Sequence, residues 1–95
     1  MFRLQYSNVF WRDADTYYNH GGTEQRLHEI LQILESGKPM PASLRDHQLH
    51  GKLRQWRELH VEGDWLLVYR KDGKKLIITC LWLVSHKKLK ERGRL

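Results

Sequence analysis

An α+β fold, with two N-terminal helices packed on a small, mainly antiparallel sheet, is predicted by three features of the sequence. First, "EQRLHEILQILES" (24–36) places Leu27, Ile30, Leu31 and Leu34 at three- and four-residue intervals, the pattern of a helix with one buried stripe. Second, three runs of strand composition, "QWRELHV", "DWLLVYR" and "KLIITCLWLV", follow one another after residue 54 with only short breaks. Third, "FRLQYS" near the start alternates, with Phe2, Leu4 and Tyr6 on one side, as a strand does. Helices and strands that occur in separate blocks favour helices covering one face of a sheet.

Taken in order, the opening strand gives way to a helix through "VFWRDADTYYNH", with Ser7 or Asn8 as its cap and Gly21–Gly22 as its stop. Thr23 has the chemistry to cap the second helix, which Gly37 and "KPMP" end. Residues 38–55 read as a loop, since breakers and polar groups dominate them. "EGD" then joins the first two strands of a meander. "KDGK" joins the second pair through Asp-Gly, a strong tight-turn signal. The last strand is apolar at both parities, as expected for an inner strand covered on both faces. Ser85 is placed to cap a short final turn, and the basic residues from about 87 to 95 read as a mobile tail.

Ninety-five residues suit a single domain spanning 1–95. One cysteine, Cys80, excludes an internal disulfide and a thiolate cluster for zinc. The start "MFRLQYSNVF" lacks the apolar run of a secretory signal, and "LIITCLWLV" is too short to span a bilayer as a helix, so a cytoplasmic protein with no membrane role is expected. The net charge of +6 is concentrated at one end. Residues 70–95 carry nine Lys/Arg against two Asp/Glu, whereas residues 1–42 carry four against five. Such a tail is either solubilising or suited to an anionic partner, with nucleic acid the first candidate.

Six histidines is a high count for this length. His20 and His28 read as helix-surface residues. His47 and His50, three apart in the loop, are weak evidence for metal, and no metal ligand set or cofactor is expected. Alternation in "WRELHV" puts Trp56, Glu58 and His60 on one strand face and Arg57, Leu59 and Val61 on the other. His60 ends one strand, Asp64 opens the next and His86 follows the last, so the sheet can gather all three. Imidazoles titrate near neutrality, so one can accept a proton from a ribose 2′-hydroxyl while another protonates the departing 5′-oxygen. A carboxylate can orient either ring, and Lys or Arg can balance charge on the phosphorus. That chemistry is metal-free and selects RNA.

The segment "LRDHQLHGKLRQWRELHVEGDWLLVYR", followed by "LVSHKKL", resembles the YafQ branch of the RelE/ParE toxin superfamily, over residues 1 to about 90. The resemblance implies a RelE-like microbial RNase fold and a ribosome-dependent endoribonuclease that cuts translated mRNA. It implies as partners a cognate antitoxin, the 70S ribosome and mRNA, with operator DNA bound only through the antitoxin complex. The antitoxin is expected to wrap the basic surface or displace the C-terminal segment. Its catalytic positions fall on His47, His60, Asp64 and His86, with His86 as general acid, His60 or His47 as base or stabiliser, and Asp64 assisting; His50 is a bystander. Relatives carry an arginine in the last strand where this chain has Trp82, and an aromatic where it has Leu89 or Lys90. Phosphate contact is therefore expected from Lys52, Arg54, Arg57, Lys87 or Lys88. A gyrase-directed toxin, a catalytically silent antitoxin or DNA-binding partner and a small RNA-binding domain are the competing readings. Only the nuclease needs converging acid and base groups.

Overall fold

The computed structural model describes residues 1–93. Its elements run β1 (Arg3–Tyr6), α1 (Phe10–Asn19), α2 (Glu24–Ser36), β2 (His47–Gln48), β3 (Arg57–Glu62), β4 (Trp65–Asp72), β5 (Ile77–Ser85) and α3 (His86–Gly93), with 3₁₀ turns at Ala42–Leu44 and Gly51–Leu53. The five strands lie in the order β1-β5-β4-β3-β2; β1 runs parallel to β5 and every other pairing is antiparallel. The α+β expectation holds. The loop over 38–55 was read too simply, because it contributes the edge strand β2, two residues long and too short for periodicity to show.

Helix α2 forms as its sequence dictates. The Thr23 side chain accepts from the Arg26 amide at 3.1 Å, and Gly37 closes the helix in the left-handed conformation at φ 73°. Leu27, Ile30 and Leu34 are buried against the sheet, and truncating any of them to alanine should cost about 2–5 kcal/mol. Helix α1 starts later than expected. Its N-cap is Val9 with no side-chain cap, while the Ser7 hydroxyl is spent on the Leu81 carbonyl of β5. The glycines do end it: Gly22 passes so close to the Tyr17 ring that a Cβ there would lie 2.3 Å from it.

The main core lies between α1, α2 and one sheet face, where Leu59, Val61, Leu67, Tyr69, Ile78, Cys80 and Leu83 meet Phe10, Tyr17, Leu27 and Ile30. Leu66, Val68 and Val84 are also buried, but they alternate onto the opposite face and stand outside that core. A register shift between β4 and β5 takes Val68 opposite Trp82 and Tyr69 opposite Cys80, so Leu81 is an extra residue. That bulge lets both Cys80 and Leu83 face the helices, which explains the apolar residues at both parities.

Pairing with β1 stops at Cys80, so the rest of β5 has no strand beside it on that side. Asp13 of α1 fills that gap by accepting from the Leu83 amide at 3.2 Å. Ser85 then caps α3, accepting from the Lys88 amide at 3.2 Å. Near the other end of α3, Arg92 makes a bidentate pair with Asp13 at 2.6 and 2.8 Å. Residues 87–93 are therefore largely helical, while the last two positions of the basic segment, 94 and 95, lie outside the described residues. No helix among the described residues is long and apolar enough to cross a membrane.

Candidate active site

Three of the expected residues converge. The β3–β4 turn closes over Gly63 and Asp64, with Glu62 opposite Trp65 and Gly63 at φ 53°, a left-handed value that favours glycine. Trp65 is in turn opposite Ser85, so strand pairing delivers Asp64 to the start of α3. There a carboxylate oxygen of Asp64 pairs with Nδ1 of His86, which leaves Nε2 for a substrate. His60 stands beside them, its ring centroid 5.5 Å from that of His86. Asp64 and His86 are both exposed, so the pair meets solvent directly.

The turn has its own anchor. Glu62 accepts from the Tyr17 hydroxyl and, at 3.4 Å, from the Thr23 amide. Arg26 donates to the Val61 carbonyl at 2.6 Å. Burial, and then the bond to Glu62, pushes the Tyr17 hydroxyl up to about 12. Both helices thus hold the segment that presents Asp64.

His47 arrives from β2. It lies opposite Glu58 in the sheet, and its Nε2 is 2.8 Å from Oε1 of that residue. Its Nδ1 faces the Arg45 carbonyl at 2.7 Å. Glu58 is two residues from His60 on the same face of β3, and Glu58 Oε2 and His60 Nδ1 are both buried without a hydrogen-bond partner. Sequence alternation had put Glu58 beside His60. It gave no sign that β2 would bring a histidine to the carboxylate.

The expected cations divide. Lys87 and Lys88 follow His86 on α3, exposed beside the pair, with Lys88 Nζ 3.7 Å from Glu91. Lys52 and Arg54 are exposed in and after the 3₁₀ turn before β3, and Arg54 donates to the Gly51 carbonyl at 3.3 Å. Arg57 alternates onto the helix face, away from His60. There it donates to Asp46 at 2.9 Å, and the Asp46 bond raises its pKa further. Tyr69 joins the same carboxylate, and burial raises its hydroxyl too. Trp82 is half-buried, with the Arg92 guanidinium 5.2 Å above its ring. His50 is exposed in the loop, and His20 and His28 are exposed on or beside the helices. Cys80 is no nucleophile, because burial pushes its thiol up to about 12. Among the described residues, no group of three or more His, Cys, Asp or Glu side chains is arranged to hold a metal ion.

Sequence reading missed Asp13 and Arg92. A signal for Asp13 was present: it falls in the Phe10, Ala14, Tyr17 stripe that α1 buries, where a charge needs a partner. Asp13, Arg92, Lys88, Ser85, Trp65 and Asp64 line one cleft of ≈ 480 Å³ along α3.

A mostly antiparallel sheet with two helices on one face and a third after its last strand is the fold of a class of small bacterial toxins. Residues 2–91 match the family described as "Bacterial toxin of type II toxin-antitoxin system, YafQ". The chain belongs to this family. It is 30% identical over 74 residues to the mRNA interferase toxin YafQ of Escherichia coli (strain K12), covering 77% of this chain and 80% of that protein. The YafQ fold of the E. coli DinJ-YafQ toxin-antitoxin complex superimposes with TM-score 0.81 at 25% identity, over 93% of this chain and 96% of that one. A metal-bound toxin from Helicobacter pylori does so with TM-score 0.83 at 28% identity, over 94% and 99%.

Proposed function

We propose that this chain is a metal-independent endoribonuclease that cuts mRNA on the ribosome and is silenced by an antitoxin. The observation that carries the reading is the pairing of His86 with Asp64 beside His60, which stands on the sheet face away from α1 and α2. Two imidazoles with ring centroids 5.5 Å apart can serve the two proton transfers of one phosphodiester cleavage. A base takes the proton of the 2′-hydroxyl as that oxygen attacks the adjacent phosphorus. An acid then protonates the 5′-oxygen as its bond to phosphorus breaks. The products are a 2′,3′-cyclic phosphate and a 5′-hydroxyl, and water can later open the ring to a 3′-phosphate. Asp64 orients His86, which serves as the acid, and Lys87 and Lys88 are close enough on α3 to meet a phosphate backbone. The family relation, an E. coli relative named as an mRNA interferase toxin, and another solved with its DinJ antitoxin support the substrate and partner.

The test is cleavage of mRNA on programmed 70S ribosomes, with a ribosome-free control and EDTA added only after assembly in a short reaction. Cuts that need the ribosome, survive EDTA and fall about 10²–10⁴-fold in a folded His86→Ala variant are expected. Undiminished turnover in that variant would overturn the role of His86. A folded wild type that makes no cuts on varied codons would overturn the nuclease reading and bring gyrase inhibition or silent antitoxin binding forward.

A further inference from the structure

We propose that Glu58 is a positioning residue of this site, holding His47 as a proton-bearing group that cannot serve as the base. The inference rests on the nuclease reading above and narrows it. Its starting point is a proton count. The Arg45 carbonyl can only accept, so His47 Nδ1, 2.7 Å away, carries a hydrogen. The other ring nitrogen, Nε2, stands 2.8 Å from Glu58 Oε1 as an ion pair, a distance at which a bare ring nitrogen and a carboxylate oxygen would repel, so one of the two carries a proton. Imidazolium facing carboxylate and imidazole facing carboxylic acid both meet the requirement. In either form the pair holds one proton more than a neutral ring beside a carboxylate. It can therefore donate a proton or stabilise negative charge, and it has no free nitrogen with which to take the 2′-hydroxyl proton. The base is left to the His60 and His86 side of the site.

A second observation shows that Glu58 is not there for stability. Its residue surface is only 8% exposed, yet Oε2 is buried with no donor. A buried carboxylate with one oxygen unpartnered opposes folding. A glutamine of the same shape carries no charge to desolvate and can still bond to the His47 ring. The position thus trades stability for a held proton. Side chains two apart on one strand face stand only about 6.5–7 Å apart, so Glu58, which holds the ring, stands beside His60.

The closing experiment is a double-mutant cycle on ribosome-bound mRNA with Glu58→Gln, His47→Ala and both together, Tm being measured for each. The expected result is a kcat about tenfold lower in Glu58→Gln with KM unchanged and Tm equal to or above wild type. Adding Glu58→Gln to His47→Ala should then cost nothing more, because Glu58 acts through that ring. Wild-type kcat in Glu58→Gln, losses that multiply in the double variant, or a lower Tm in Glu58→Gln would each overturn the proposal. Nitrogen-15 NMR of the histidine rings in the wild-type protein decides the point independently. Two hydrogen-bonded, slowly exchanging ring N–H groups on His47 support the proton count in its imidazolium form. One slow Nδ1–H, with Nε2 accepting from a protonated Glu58 carboxyl, supports it in the other form. A ring exchanging freely with water overturns it. The NMR outcome holds even if the wild-type chain cuts no RNA, so failure of the nuclease reading and failure of this inference are separable.

Discussion

Helix α3 is held near both ends by a carboxylate, and the two attachments differ in almost every respect. Near its C-terminal end Arg92 grips Asp13 through two bonds, and Asp13 also takes the Leu83 amide, so a 6%-exposed carboxylate has its acceptors filled. At the N-terminal end His86 meets Asp64 through one bond between exposed side chains. Both carboxylates line the same cleft. A saturated buried pair resists change, because breaking it strands a charge away from water. An exposed pair is cheap to rearrange, because either partner can turn to water instead. The anchor at Arg92 fixes the helix, so the pair at His86 is held in place while staying open to solvent.

The largest expected effect tests the anchor. Asp13→Ala leaves the Arg92 guanidinium without its partner and the Leu83 amide without an acceptor, and should cost about 3–5 kcal/mol. Calorimetry should read this as a drop in Tm of roughly 10–30 °C. If His86 depends on the anchor, cleavage at temperatures where the variant is folded should also fall. Unchanged turnover would show that Ser85 and the Asp64 pair suffice to place the helix start.

A smaller effect concerns the turn that carries Asp64, which Tyr17 holds through Glu62. Burial and that bond raise the Tyr17 hydroxyl from 10.0 to about 12, so the folded protein keeps the proton longer than the unfolded chain does. The contribution is complete below pH 10, where both states are neutral. It is lost as pH rises from 10 toward 12, since only the unfolded chain ionises easily there. The total is about 2–3 kcal/mol. Urea unfolding at pH 9 and pH 11 should show a loss of stability, to which the raised Tyr69 and Cys80 also contribute, and Tyr17→Phe should make that loss smaller.

What the sequence made legible follows from the range of the forces involved. Local signals announced α2: Thr23, the leucine spacing and Gly37 all act within a few residues. The gathering of His60, Asp64 and His86 was also open to inference, because tight turns and strand alternation set it. The start of α1 was misplaced because Ser7 bonds to Leu81, 74 residues away, instead of capping its own helix. Glu58 shared a visible face with His60, but its meaning depends on β2, whose two residues become a strand only by pairing with β3. Arg57 looked available for phosphate until its face of β3 met Asp46.

The smallest effect belongs to the exposed pair itself. Asp64→Asn keeps the size of the side chain and removes its charge. Because the pair is solvent-exposed, Tm should move by no more than a fraction of a kcal/mol's worth. The amide can still accept from Nδ1 and so keeps the ring roughly oriented, but the bond is no longer charge-assisted. Cleavage should fall about tenfold, far less than in His86→Ala, if Asp64 only orients and supports the ring. A loss as deep as that of His86→Ala would mean that the carboxylate and the imidazole act as one unit in the proton transfer. The looseness of the exposed pair would then be apparent only in its solvent contact and not in its chemistry.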